Sequence, residues 1–288
     1  PGNLLFHNPA TVITTEIPAQ LYNNRSAGDQ YGGGFVGADG VNTFEDMFGT
    51  RGFGTMTEIT NTSSSPWRMN AKLVQEYVDS VTGSAIYFVC SGAMADPEVV
   101  LTAGHCVYNR TNDSSGSDYG FVDRIWVYPG WDGNGLALGN PGTLQNYGWG
   151  AGNGWAAWGG YTNNGDFDAD IGYISLDRAV GMLTGWFGWR SADWNTCTTL
   201  GLTYNNASFP SEGCGTSGLH NGRDMYYWFG SFDSCQGSNQ LRINTSSGCF
   251  TALWGGQSGS NAYDIVDTSR YAHAVASNSN RTTIGQYA

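Results

Sequence analysis

Short apolar runs, each bounded by turn residues, recur along the chain from Met56 onward. Ala85-Ile86-Tyr87-Phe88-Val89-Cys90 predicts a buried strand, and Val99-Val100-Leu101-Thr102-Ala103 a second. Arg124 to Tyr128 runs into Pro129-Gly130, a turn signal, and Ile171 to Leu176 is a further strand. No helical pattern alternates with these runs, as a parallel sheet would require. The spacing predicts an all-β sandwich or barrel. Residues 1–55 read differently, with Gly-rich stretches such as Tyr31-Gly32-Gly33-Gly34 and few alternations. They are expected to form an irregular extension, either a retained pro-segment or an arm packed on a domain spanning 56–288. The stretch from Gly130 to Gly165 is too long for a plain connection and predicts a hairpin or surface excursion. Its Trp149, Trp155 and Trp158 suit packing against the barrel better than a carbohydrate-stacking platform.

Composition narrows the class. The 288 residues include 43 Gly, which fits tight turns between short strands, and a formal net charge of −12 argues against a nucleic-acid partner. Six cysteines, with no CxxC pair, fit disulfides in an oxidising compartment rather than a zinc or dithiol redox site. No apolar run is long enough to span a bilayer. Pro1 opens a polar stretch without the features of a signal peptide, so a mature or processed secreted form is expected. Sequons at Asn24, Asn61, Asn109, Asn112, Asn206, Asn244 and Asn280 are compatible with a glycoprotein.

Candidate chemistry begins at Leu101-Thr102-Ala103-Gly104-His105-Cys106. Cys90 lies 16 residues before Cys106, so a strand, a turn and a returning strand would bring the sulfurs together and fix His105 at a strand end. No second cluster completes a metal site around this pair. Gly255-Gly256-Gln257-Ser258-Gly259-Ser260 puts a serine between glycines, where its hydroxyl can be exposed on a tight turn beside convergent N–H groups. An α/β-hydrolase elbow would need the order serine, acid, histidine and a following helix, neither of which is present. Asp170 directly precedes an apolar run and is the expected buried acid, whereas Asp166 and Asp168 lie in a polar loop. The order His105, Asp170, Ser258 is that of a chymotrypsin-like triad.

From about Thr57 to Ala288 the chain resembles the trypsin/chymotrypsin-like serine peptidase clan, most nearly its bacterial glutamyl-endopeptidase branch. Ile59-Thr60-Asn61-Thr62, Thr102–Cys106, Asp170–Ile174, Gly185-Trp186-Phe187-Gly188 and Gly255–Ser260 carry the likeness. The resemblance implies two six-stranded antiparallel β-barrels with the site between them, no cofactor or metal, and secreted endopeptidase activity on peptides or proteins. It implies an oxyanion hole from the N–H groups of Gly256 and Ser258, a Ser277 hydroxyl bonded to the buried aspartate, and a pocket lined by Ala252, Leu253 and Ala276. Glutamate-cleaving members carry a threonine at the Leu253 position and a histidine at the Ala276 position. Apolar specificity is therefore expected, with glutamate as the alternative should His273 reach the pocket. Gln257 replaces the aspartate that pairs with a new N-terminal amine in trypsin. Members usually continue into a final strand and helix, so C-terminal processing or truncation is expected at Ala288. Locality suggests Cys197–Cys214 and Cys235–Cys249 for the remaining cysteines, among three possible pairings. A catalytically silent protease-like binding protein is the competing reading.

Overall fold

The structure is a computed structural model. It describes residues 3–11, 13–17, 30–31, 56–132, 147–190, 202–211, 222–236, 240–244, 253–266, 268–279 and 284–287. The first strands are β1 (Leu4–Asn8), β2 (Ile13–Ile17), β3 (Gln30–Tyr31), β4 (Thr57–Ile59), β5 (Asn70–Val78), β6 (Ala85–Asp96) and β7 (Val99–Thr102). Next come β8 (Tyr108–Asn112), β9 (Asp118–Phe121), β10 (Arg124–Pro129), β11 (Gly150–Trp158), β12 (Gly172–Leu176) and β13 (Gly188–Arg190). The last are β14 (Tyr204–Ser208), β15 (Met225–Gly230), β16 (Ser234–Gln236), β17 (Gln240–Asn244), β18 (Asn261–Val266), β19 (Ser269–Ser279) and β20 (Ile284–Tyr287). Two short helices, α1 (Gly159–Asn164) and α2 (Gly181–Thr184), lie in connections.

Six strands close a barrel in the order β10, β5, β6, β7, β12, β11, with β10 pairing β11 at Trp126↔Ala151 and Val127↔Gly150. β10 reaches β11 only at Gly150 and Ala151, so residues 155–158 of β11 keep a side that the six strands do not pair; the barrel encloses Leu73, Val100, Ile125, Val127, Trp155 and Ile174. In β12 the pleat turns Gly172, Ile174 and Leu176 inward, as the period of two in that run predicts. The predicted strands at 99–103, 124–128 and 171–176 fall on β7, β10 and β12. The run at 85–90 is a strand but not a buried one: Tyr87 and Phe88 are exposed. Beyond Cys90 toward the hairpin tip β6 pairs only β5, because β7 reaches it only from Ala93 to Asp96, so this end stands clear of the barrel.

The second sheet follows the order β16, β17, β20, β19, β18, β14, β15, β4, with β13 parallel to β19. Its arrangement is consistent with the second barrel, with Tyr204, Trp228, Leu241, Ala274, Ala276 and Tyr287 in its core. A third apolar cluster joins the two units: Trp67, Val74 and Tyr128 from the first meet Ala207, Phe209 and Met225 from the second. This explains why β5 is buried on both faces.

The extension is not irregular where it is described. β1 and β2 form a hairpin, and β1 pairs β11, adding two strands to the first sheet. Trp155 is a core residue and Trp149 stacks on Arg178, 5.0 Å from its guanidinium, so both are packing residues. Asn206 is fully buried and its amide donates to Ser260 Oγ and Asn261 O, which closes that sequon to a glycan.

Candidate active site

β7 ends at Thr102, and the chain turns through a 3-10 turn over Gly104–Cys106 that carries His105. Cys106 is bonded to Cys90 on β6, with Cα atoms 6.2 Å apart, which ties this turn to the barrel wall. A second 3-10 turn, Phe167–Ala169, delivers Asp170 at the entry to β12. Asp166 caps that turn by accepting the Asp168 N–H at 3.0 Å. Asp168 stays nearer solvent, its carboxyl raised by partial burial and by the charge of Asp166. Asp170 alone of the three is fully buried.

The Asp170 carboxylate receives three hydrogen bonds. The His105 backbone N–H donates to Oδ1 at 2.7 Å, His105 Nδ1 lies 2.7 Å from Oδ2, and the Ser277 hydroxyl donates to Oδ2 at 2.6 Å. Burial lowers the imidazole pKa, but the charge and hydrogen bond of Asp170 outweigh it, so His105 titrates above its usual value. The bond to Asp170 places a proton on Nδ1 and leaves Nε2 for other work.

Ser258 lies on the turn between Trp254 and Ser260, closed by Gln257 N to Trp254 O and Ser260 N to Gln257 O, both 3.0 Å. Gln257 is buried; its side chain accepts from Trp254 N at 2.8 Å and donates to Ser208 Oγ at 2.9 Å. Gln257 Nε2 also lies 3.5 Å from Met56 Sδ. A neutral network thus stands where trypsin places its aspartate. Gly259 has φ +83°, and a Cβ there would lie 2.0 Å from Thr102 Oγ1 and 2.4 Å from Ser91 O. Only glycine allows the serine turn to press this closely on the first barrel.

Ser91, beside Cys90, was not singled out by the sequence, yet it joins the two halves of the site. Its N–H donates to Ser258 O at 2.8 Å, its hydroxyl donates to Gly256 O at 2.7 Å, and it accepts from Phe209 N at 2.9 Å. No local pattern distinguishes such a serine, because its partners are 118 to 167 residues away along the chain.

His105 and Ser258 line one cleft of about 540 Å³, together with Tyr161, Leu253, Gly256 and Ala276. Ser277 also borders it. Ala252 lies outside the described residues. His273 does not line the cleft: its side chain is buried with Nε2 2.9 Å from Asp264 Oδ1, and Asp264 also pairs with Arg190 at 2.7 Å. It sits at a bulge in β19, where Ala262 pairs Ala274 and Tyr263 pairs Ala272, and its ring meets that of Tyr204 with centroids 5.3 Å apart. Cys235 is disulfide-bonded; Cys197, Cys214 and Cys249 lie outside the described residues.

A barrel, a second sheet packed on it, and an Asp–His pair sharing a cleft with a serine between glycines define the chymotrypsin-like class. Residues 57–138 match the family model described as Trypsin. The chain is 31% identical over 170 residues to the glutamyl endopeptidase of Bacillus licheniformis, covering 58% of this chain and 44% of that one. It is 30% identical over 156 residues to a Bacillus subtilis (strain 168) protein named extracellular metalloprotease, covering 54% and 43%. The chain therefore spans under half the length of these relatives. A solved Glu endopeptidase in complex with MPD superposes with TM-score 0.54 at 23% identity, over 84% of this chain and 92% of that one, a likeness of fold. The chain is thus similar to trypsin-like serine peptidases, a glutamyl endopeptidase among them, and shares the chymotrypsin-like fold.

Among the described residues, Cys90, His105 and Cys106 are the group whose ligand atoms converge. The two sulfurs are bonded to each other, so neither is a thiolate, and His105 Nδ1 is engaged by Asp170. These residues do not fit a metal ion.

Proposed function

We propose that the protein is a secreted serine endopeptidase that works through Ser258, His105 and Asp170. The observation that carries this is the buried Asp170 carboxylate holding His105 Nδ1 in the cleft that Ser258 borders. Ser258 Oγ attacks the scissile carbonyl while His105 Nε2 takes its proton. The tetrahedral intermediate collapses, the C–N bond breaks, and His105 returns that proton to the leaving amine. Water then repeats the sequence on the acyl-enzyme. Asp170 fixes the tautomer and stabilises the imidazolium.

The N–H groups of Gly256 and Ser258 are the proposed oxyanion donors. Both belong to the turn that borders the cleft. Loss of one such donor typically costs about 3 kcal/mol of transition-state stabilisation.

Leu253 and Ala276 on the cleft wall support cleavage after apolar residues. Each Å² of apolar side chain removed from water contributes about 25 cal/mol. A carboxylate guest would meet no cationic partner on Leu253 or Ala276; Arg110, which also borders the cleft, donates to Tyr161 O and Thr162 O, and His273 lies outside it with Nε2 2.9 Å from Asp264 Oδ1. Extracellular location is supported by the disulfide and by the likeness to a relative named extracellular metalloprotease. The test is a peptide-library cleavage profile. Leu, Met or Phe before the cut is expected; a profile dominated by Glu and lost in His273→Ala would overturn the pocket assignment in favour of glutamate specificity.

A further inference from the structure

We propose that the outer edge of β11 is a strand-accepting surface whose partner is the chain's own N-terminal hairpin, and that this docking holds the Gly159–Asp170 segment in its working position. The proposal makes the extension a permanent part of the domain, and its turnover arm rests on the peptidase reading above.

The ladder is specific. Leu4 pairs Trp158, Leu5 pairs Ala157, Phe6 pairs Ala156 and His7 pairs Trp155. The acceptor is shaped for it. A Cβ at Gly154 would meet the Phe6 ring at 2.7 and 3.1 Å and His7 O at 3.6 Å, so the missing side chain is the space the hairpin fills. The His7 ring stacks on Phe121 at 5.0 Å and faces Trp155 at 6.0 Å, with its Nδ1 3.0 Å from Thr14 Oγ1 across the hairpin. Leu4 is buried. A second contact lies on the other sheet, where β3 pairs β13 through Tyr31↔Trp189 and Gln30↔Arg190.

Position along β11 gives the hairpin its leverage. β12 supports β11 only as far as Ala157↔Gly172. Beyond that point Trp158 is paired with Leu4, and Gly159 N donates to Asn3 O at 2.5 Å. Gly159 opens α1, which carries Tyr161 to within 6.4 Å of the His105 ring, and the same segment ends at Asp170. The hairpin thus clamps the last residues before the element that brings a cleft wall and the catalytic acid.

The test is Gly154→Val in the full chain, since the nearest atoms to its side chain all belong to the hairpin. Amide exchange at 4–8 and 13–17 should accelerate by roughly tenfold or more, and the acceleration should extend into 158–164. Turnover should fall about tenfold in kcat with KM within about twofold, the signature of misplaced catalytic groups rather than lost ground-state binding. Adding Phe6→Ala vacates the space the valine needs and should restore both exchange protection and kcat. Phe6→Ala alone, which adds no bulk, should move exchange at 158–164 in the same direction by less. Exchange that rises in 4–17 while 158–164 and kcat stay unchanged would overturn the positioning role. Wild-type amides at 4–8 exchanging like an unstructured chain would overturn the docking itself. A wild-type chain with protected 158–164 amides but no turnover would sink the peptidase reading and leave the docking upheld.

Discussion

At the scale of single residues, Asp170 is the pivot. Three donors converge on its carboxylate, which is closed to solvent and faces one imidazole. Hydrogen bonds to charged groups are worth about 1.5–3 kcal/mol, so Ser277→Ala should lower kcat roughly tenfold with little change in KM. Asp170→Asn should cost about 10⁴ in turnover, the loss known for the chymotrypsin-type triad. A silent Asp170→Asn beside a severe Asp168→Asn would overturn this assignment and move the acid to Asp168. The raised pKa of His105 has two consequences of opposite sign. As base it must be neutral, so kcat/KM should fall on the acid side of a limb lying above 6.5, and a flat profile through that range would contradict the assignment. For folding, a raised native pKa contributes stability that is full below the unfolded value and is lost as pH rises through the native one. Acid should therefore stop the enzyme before it costs the His105–Asp170 pair.

The elements that meet at the site are legible to different degrees. His105 and Cys106 announce themselves because their constraint is local: one disulfide partner, 16 residues away, in a neighbouring strand. The serine turn is legible because two flanking glycines mark a tight turn. The turn's dependence on the first barrel is testable through Gly259→Ala, whose Cβ would overlap Thr102 Oγ1 in a backbone region alanine avoids. That variant should lose nearly all activity and melt lower in a thermal scan, whereas unchanged kcat would contradict the close packing described. Ser91 escaped the sequence because its role exists only once two sheets have assembled. The β1–β2 hairpin escaped for a related reason. Leu4 to Asn8 and Ile13 to Ile17 are short and half polar, and their strand conformation depends on an edge offered by β11 some 150 residues later. His273 shows the converse: it sits where the β18–β19 ladder bulges, and no local pattern in the sequence marks that irregularity.

Across the whole molecule, a closed barrel and a second sheet share an apolar seam, and the cleft collects groups from β5, β6, β8, β19, the turn after β7 and the serine turn. Such a site is one cooperative unit. Ser258→Ala and His105→Ala should each remove nearly all peptidase activity, and the double variant should lose little more than either alone. A protease-like fold that had become a binding protein would keep the seam and the sheets but have no activated hydroxyl. Treatment of the intact protein with a fluorophosphonate, followed by peptide mapping, separates the two most directly. The account predicts one covalent adduct on Ser258, absent in Ser258→Ala and greatly slowed in His105→Ala. No adduct on the folded wild-type chain, or an adduct on another serine that persists in Ser258→Ala, would contradict it.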